Sequence, residues 1–270
     1  MYEKFFGLRE KPFNVTADPS FFFLSRKHKE AFSHLVFGID QRKGIMVITG
    51  EIGTGKTTLC RTLLSSLDKK TKTAFILNPN FSSLQLLQII VEDFGLVPIK
   101  KSRIFLISEL NKFLLRESNA GNNVALIIDE SQNLNPRQLE QIRLLSNLET
   151  EKEKLLQIVL VGQPELQQNL ALPQLRQLTQ RVTVRYHIHP LDKGEVAQYI
   201  DHRLKVAGAN GNALFTEEAV DQIASFSSGT PRLINILCDR ALLAGFVKEK
   251  KSLGAEMIQQ CISEINEHYL

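Results

Sequence analysis

The sequence has few of the residues that mark specialised structural classes. Its 270 residues include three cysteines, nine prolines, 15 glycines and no tryptophan. This composition excludes a disulfide-stapled scaffold, a collagen-like repeat and a low-complexity chain. Cys60, Cys238 and Cys261 are far apart and odd in number, so we expect them to remain reduced thiols.

Long hydrophobic runs and secretion signals are also missing. The longest candidate run is Val124–Ile128, far short of the ~20 residues that span a bilayer. The first residues, MYEKFFGLREKPF, mix charged and aromatic side chains and lack the apolar segment of a secretory signal. We therefore expect a cytoplasmic protein that does not cross a membrane by itself.

The charge is small but uneven along the chain, with a formal net charge of +4. Residues 1–190 hold 25 basic and 18 acidic residues, whereas residues 191–270 hold 8 and 11. The change of sign indicates two modules. A mild positive charge permits an acidic partner without requiring one.

Short β-rich runs alternate with helical patterns up to Pro190, which is typical of parallel βαβ units. Most of these runs are almost continuously apolar, as expected for strands that are buried on both faces. We therefore predict an α/β domain over residues 1–190. The predicted strands are Ile45–Thr49, Thr73–Asn78, Val124–Asp129, Gln157–Val161 and Val182–Ile188.

After Pro190 the pattern is helical only, which predicts an all-helical domain over residues 191–270. Thr216 precedes two glutamates and an apolar face, so it is a predicted N-cap. Pro231 suits a first helical position. The predicted helices are Thr57–Leu67, Ser83–Phe94, Ser102–Glu117, Pro136–Leu148, Gln174–Thr179, Asp192–Ala207, Thr216–Phe226, Pro231–Lys248 and Ala255–Ile265.

A glycine-rich motif follows the first predicted strand and opens a helix, in the pattern G-x-x-x-x-G-K-[ST]. Its glycines allow a close backbone approach to phosphate, and the helix N-terminus directs N–H groups at the anion. Lys56 is expected on the β- and γ-phosphates of ATP and Thr57 on Mg²⁺. The alternative is a chance glycine-rich turn. The predicted nucleotide-binding residues are Gly50, Glu51, Ile52, Gly53, Thr54, Gly55, Lys56, Thr57 and Thr58.

Two carboxylates, Asp129 and Glu130, follow the apolar run Val124–Ile128. Burying carboxylates at a strand end is costly unless they have partners. We expect Asp129 to hold Mg²⁺ and Glu130 to polarise a water molecule. The alternative is a solvated acidic pair. A nucleotide switch without hydrolysis needs no carboxylate at the second position, so Glu130 favours an ATPase.

Five motifs occur in a set order along the chain, namely ITGEIGTGKTTLCR, LIIDESQNL, LVGQPEL, LRQLTQRV and FSSGTPRLINILCDRALL. With the segment Tyr2–Leu24, they make the sequence resemble the AAA+ superfamily, and most of all the ATPase domain of the general secretion pathway protein A family. A relative at exosortase loci has the same motifs, so these two branches stay open. The resemblance implies a P-loop NTPase core with a five-stranded parallel sheet, followed by an all-helical lid.

The resemblance also implies roles for three polar residues. Asn78 matches a residue that can restrain the catalytic glutamate, Gln163 matches the sensor-1 position, and Arg232 matches sensor 2. The alternatives are turn residues before a proline for Asn78 and Gln163, and a surface side chain for Arg232.

An arginine finger is implied near the fifth strand. AAA+ proteins present such an arginine to the ATP of a neighbouring subunit, where it stabilises charge on the transferred phosphoryl group. Arg176 and Arg181 are the candidates, and Arg181 is slightly favoured. The alternative is a solvated basic helix face. A finger in trans implies a homo-oligomer.

The segment around Phe13 and Asn14 resembles one that lines the adenine pocket in relatives. The alternative is that Phe13 anchors the N-terminal arm by hydrophobic packing. In relatives a membrane segment and a peptidoglycan-binding module follow the ATPase, whereas this sequence ends at Leu270. We therefore expect either a fragment or shortened form, or an inner-membrane or cell-wall-binding partner that supplies them.

These inferences predict a Mg²⁺-dependent ATPase that drives assembly or remodelling of a bacterial envelope secretion complex. One alternative is a DNA-associated AAA+ ATPase, such as a transposition accessory protein or a loader, which the positive charge of residues 1–190 permits. Against it, the sequence has no added helix-turn-helix and no dense basic stripe. The other alternative is a nucleotide-gated scaffold that does not hydrolyse ATP.

Overall fold

The computed structural model describes residues 1–209 and 214–269. Their contacts form two compact units. The helical unit comprises Met1–Ser25, Gly53–Thr58 and His189–Leu270, and the α/β unit comprises Arg26–Ile52 and Leu59–Ile188.

The α/β unit is built on a five-stranded parallel sheet, as predicted. The strand order is β2-β3-β4-β1-β5. The inner strands are buried along most of their length because helices cover both faces, which explains their apolar runs. The strands are β1 (Ile45–Gly50), β2 (Thr71–Ile76), β3 (Asn123–Ile128), β4 (Gln157–Gly162) and β5 (Val182–Ile188).

The register of the sheet determines where the polar strand ends emerge. Thr49 of β1 pairs with Gly162 of β4, and Ile128 of β3 pairs with Leu160 of β4. Because all these strands are parallel, their carboxyl ends meet at one edge. The residues that follow β1, β3 and β4 therefore leave the sheet at the same edge.

Most helices of the first 188 residues belong to the α/β unit, whereas the short helix Tyr2–Phe6 belongs to the helical unit. The helix over Arg26–Asp40, which the sequence analysis did not predict, packs against β5 and buries Ala31, Leu35 and Ile39. The helices are α1 (Tyr2–Phe6), α2 (Arg26–Asp40), α3 (Lys56–Ser66), α4 (Ser83–Asp93), α5 (Arg103–Asn119), α6 (Pro136–Leu145), α7 (Glu165–Leu170) and α8 (Arg176–Thr179).

The helical unit contains the four C-terminal helices. Thr216 Oγ1 accepts a hydrogen bond from the Ala219 N–H at 3.3 Å, and Pro231 is the first residue of its helix, so both predicted helix starts are found. No helix among the described residues has the length and apolarity needed to cross a membrane. These helices are α9 (Lys193–Val206), α10 (Glu217–Ser227), α11 (Pro231–Val247) and α12 (Ala255–Tyr269).

The N-terminal arm packs in the helical unit, whereas the predicted division assigned it to the α/β domain. Tyr2, Leu8, Phe13 and Phe21 are buried in the core that the C-terminal helices form. The physical reason is the concentration of large apolar side chains in the first 25 residues, which the apolar faces of those helices cover.

Candidate functional site

The predicted phosphate-binding loop connects β1 to α3. Gly53 and Gly55 have φ angles of 81° and 91°, a left-handed conformation that glycine adopts at little cost. Thr54 is fully buried and Lys56, the first residue of α3, is 6 % exposed. Left-handed glycines, a helix N-terminus and a lysine form a donor set that fits a polyphosphate.

Within the helical unit, which includes Gly53–Thr58, Arg232 contacts this loop. The Arg232 backbone N–H donates to the Gly53 carbonyl oxygen at 3.2 Å. A Cβ at position 53 would lie 2.6 Å from Arg232 Cβ and 3.2 Å from Thr230 Cγ2, so only glycine fits there. The start of α11, with the predicted sensor-2 residue, therefore contacts the phosphate loop, and the Arg232 side chain is exposed.

The N-terminal candidates differ from one another. The Phe13 ring is 1 % exposed and meets the Phe215 ring edge-on at 6.1 Å between centroids, which favours the packing alternative for this side chain. The Asn14 side chain is exposed. The Asn14 backbone carbonyl oxygen accepts hydrogen bonds from Arg203 Nη2 at 3.0 Å and Asn235 Nδ2 at 3.4 Å.

The two predicted carboxylates follow β3 at the carboxyl edge of the sheet. Asp129 is 1 % exposed, and its Oδ1 accepts from the Glu130 N–H at 2.9 Å. Glu130 is half-buried and has φ of 51°, which is unusual for a residue with a side chain. A buried carboxylate at a strand end fits Mg²⁺, which prefers oxygen ligands.

Two glutamine amides hold the Glu130 carboxylate. Gln132 Nε2 donates to Glu130 Oε2 at 2.5 Å, and Gln163 Nε2 donates to the same oxygen at 3.3 Å. The structure thus brings the predicted sensor-1 residue to the predicted catalytic glutamate. Gln132 was not identified from the sequence, where the only signal is its place two residues after Glu130.

The predicted restraint of Glu130 by Asn78 is not found. Among the described residues, the side-chain donors to the Glu130 carboxylate are Gln132 and Gln163. Asn78 is exposed and lies two residues beyond the end of β2. The strand ends at Ile76 rather than at Asn78, which leaves Asn78 in the following loop.

The two arginine-finger candidates lie in different environments. Arg176 is exposed at the start of α8, and its guanidinium has no hydrogen-bond or ion-pair partner in the described part of the chain. Arg181 is half-buried, and its Nη1 donates to Ser146 Oγ at 3.4 Å. These environments favour Arg176 as the residue that is open to a neighbouring molecule.

The family model described as "AAA domain" matches residues 39–170. The chain is also 46 % identical over 249 residues to General secretion pathway protein A of Aeromonas hydrophila. That alignment covers 92 % of this chain and 45 % of the relative, so the chain spans less than half of the relative's length. The predicted resemblance is confirmed.

Solved structures support the AAA+ fold. The ORC2 protein of Aeropyrum pernix, in ADPNP–ADP complexes, matches with a TM-score of 0.69 and 16 % identity, over 95 % of this chain and 72 % of that one. Drosophila ORC bound to DNA matches with a TM-score of 0.67 and 21 % identity, over 89 % and 60 %. The Thermotoga maritima RuvB motor matches with 0.54 and 19 %, over 88 % and 68 %. Identities this low show the fold alone.

The AAA domain match contains only part of the predicted site. The phosphate loop, Asn78, Asp129, Glu130 and Gln163 lie inside residues 39–170. Phe13, Asn14, Arg176, Arg181 and Arg232 lie outside this range.

Proposed function

We propose that the chain binds ATP with Mg²⁺ and hydrolyses it to ADP and phosphate. The observation that carries the proposal is the carboxylate pair after β3, in which Asp129 is buried and Glu130 is held by two amides. Scaffolds that only bind nucleotide have no need of a second, oriented carboxylate. The glycine conformations of the phosphate loop support the same proposal.

The proposed mechanism assigns each residue a simple task. The backbone N–H groups of the loop and the Lys56 ammonium bind the phosphates, and Thr57 and Asp129 hold the metal. Bound Mg²⁺ would neutralise charge that develops on the phosphate oxygens. Glu130 accepts a proton from the attacking water, and the Arg232 side chain would contact the γ-phosphate. Positioning and electrostatics suffice, because phosphoryl transfer to water needs no covalent intermediate.

We also propose that a second copy of the chain completes the site. Arg176 is the exposed candidate for an arginine that stabilises the transferred phosphoryl group of a neighbouring copy. Turnover per chain is then expected to rise with protein concentration.

The cellular role is proposed from the relative named General secretion pathway protein A. ATP hydrolysis would drive assembly or remodelling of a bacterial envelope secretion complex, together with an inner-membrane or cell-wall-binding partner. Because ATP is a cytoplasmic substrate, we expect this part of the protein on the cytoplasmic side.

Calorimetric titration with a non-hydrolysable ATP analogue tests the binding step. We expect heat of binding with Mg²⁺ and a large loss of affinity in Lys56→Ala. Lys69→Ala serves as the control, because Lys69 is an exposed lysine in the loop before β2. Absence of binding heat at millimolar analogue for the wild-type protein would contradict the proposal.

A further inference from the structure

The side-chain amide of Gln132 lies between Glu130 and the end of β4, and both of its polar atoms are used. Its Nε2 donates to Glu130 Oε2 at 2.5 Å, and its Oε1 accepts from the Gln163 backbone N–H at 3.0 Å. An amide nitrogen can only donate and an amide oxygen can only accept, so these partners determine the orientation of the group.

The surrounding backbone accommodates this amide. A Cβ at Gly162 would lie 2.8 Å from Gln132 Oε1 and 3.2 Å from the Gln132 backbone nitrogen. The glycine therefore leaves space that Gln132 occupies. The Gln132 backbone carbonyl oxygen accepts a hydrogen bond from Asn169 Nδ2 at 3.2 Å, which connects the residue to α7. Gln132 is thus held from β4 and α7 at once.

The two amides engage only one oxygen of the Glu130 carboxylate. Gln132 and Gln163 both donate to Oε2, and Oε1 accepts no hydrogen bond from any described residue. A carboxylate that accepts a proton from water needs one oxygen directed at that water. Fixing Oε2 through two donors restricts rotation of the carboxylate and determines the direction of Oε1.

We propose that Gln132 is a positioning residue for hydrolysis, which orients Glu130 and connects it to the end of β4 through Gln163. The inference rests on the proposed ATPase function and assigns the work of orientation to a residue other than Asn78. Gln132 itself makes no contact with nucleotide in this proposal. Its loss is therefore expected to lower kcat while leaving ATP binding intact.

The variant Gln132→Met tests the proposal, because it removes both polar atoms at nearly constant volume. We expect kcat for ATP to fall roughly tenfold to hundredfold, as for misplaced catalytic groups. The KM and the Kd of a non-hydrolysable analogue should stay within about twofold of wild type, which is the signature of a transition-state defect. The control is Gln88→Met, which removes an amide-to-carboxylate bond of 2.7 Å to Glu92 on α4.

Exchanging the amide and the carboxylate between positions 132 and 130 separates an effect on catalysis from an effect on folding stability. In Gln132→Glu, two carboxylates would face each other, so both melting temperature and kcat should fall. Adding Glu130→Gln restores an amide–carboxylate pair, so the melting temperature should recover while turnover stays low, because the proposed base is now an amide. A melting temperature that does not recover would contradict the contact on which the proposal rests.

The outcomes distinguish the two proposals. An active wild-type protein with equal kcat in Gln132→Met overturns the positioning role and leaves the ATPase proposal intact. A parallel loss of analogue binding in Gln132→Met also overturns it, because the residue would then shape the binding site. A wild-type protein without turnover overturns the proposed function and, with it, this inference.

Discussion

The acidic residues and the arginines of the candidate site are held in different ways. Asp129 is almost fully buried and Glu130 is fixed by two glutamine amides. Arg176 and Arg232 have exposed side chains. The chain's own contacts thus hold both carboxylates in place. The proposed roles of the exposed arginines depend instead on contacts with phosphate or with another copy of the chain.

The largest expected effect comes from replacing Glu130, the carboxylate that the two glutamine amides hold. Glu130→Gln keeps the size of the side chain but removes its basicity, so we expect turnover to fall by about 10²–10⁴-fold. Analogue binding should persist, because the proposed contacts of Glu130 are with water rather than nucleotide. Single-turnover phosphate release and calorimetry measure the two effects. A variant that hydrolyses ATP at the wild-type rate would remove Glu130 from the mechanism.

The exposed arginines provide the next largest expected effect. Arg176→Ala should lower turnover by about 100-fold, as loss of one charge-stabilising donor does, whereas Arg181→Ala should have a smaller effect because Arg181 contacts Ser146. Arg103→Ala, an exposed arginine at the start of α5, is the control.

Mixing variants tests whether Arg176 acts in trans. Arg176→Ala and Lys56→Ala proteins should each be nearly inactive and should recover part of the activity together, because some interfaces then pair intact groups. Mixtures that stay inactive, or a fully active Arg176→Ala protein, would contradict the role.

Arg203 is a buried arginine and so contrasts with the exposed Arg176 and Arg232. Arg203 is 6 % exposed and donates to the carbonyl oxygens of Pro12 and Asn14 and to Tyr199 Oη. Arg203→Met removes three hydrogen bonds and leaves the buried Pro12 carbonyl oxygen without its donor, so we expect the free energy of unfolding to fall by about 2–4 kcal/mol. The N-terminal arm should also become sensitive to protease.

Urea unfolding measures the change, and Lys205→Met is the matched control. Lys205 lies on the same helix in an exposed ion pair with Asp201, which should contribute little. Superimposable unfolding curves for Arg203→Met and wild type would show that the arm is held without the arginine.

The smallest predicted effect concerns His202, next to Arg203. Burial, and then the positive charge of Arg203, lower the pKa of His202 below its ordinary value, and its Nε2 has no hydrogen-bond partner among the described residues. Below a pH of about 6.5 the unfolded chain therefore takes up this proton more readily than the folded one, and stability falls as the pH falls.

The His202→Gln variant removes the contribution of His202 to the pH dependence of stability. Its melting temperature should decline less than that of wild type as the pH is lowered from neutral, and the two slopes should agree at alkaline pH, where the histidine is neutral in both states. Equal slopes at all pH values would contradict a lowered pKa of His202 in the folded chain.

The regular elements were predictable because local physics determines them. The apolar runs at 45–49, 124–129 and 157–161 correspond to β1, β3 and β4, whose two faces are both covered. The helix starts at Thr216 and Pro231 follow from their capping chemistry. The phosphate loop was recognisable because its glycine, lysine and threonine types are dictated by the backbone conformation and the ligand.

Contacts between distant segments were not predictable in this way. Apolar residues such as Phe13 indicate burial but not which core buries them, so the predicted division placed the arm with the α/β domain, whereas its contacts lie in the helical unit. The contact of Gln132 with the Gln163 backbone, 31 residues away, depends on the register of β3 and β4 and on the space left by Gly162. Asn78 lies two residues beyond the end of β2, and the side-chain donors to Glu130 among the described residues are Gln132 and Gln163.

Phosphate release from ATP by the wild-type chain, measured over a range of protein concentrations with Mg²⁺ and then with EDTA, is the most direct test of the central claim. The account predicts turnover that needs the metal and rises per chain with concentration, as a shared site requires. A rate that stays at the uncatalysed background at every concentration, with Mg²⁺ present, would contradict it.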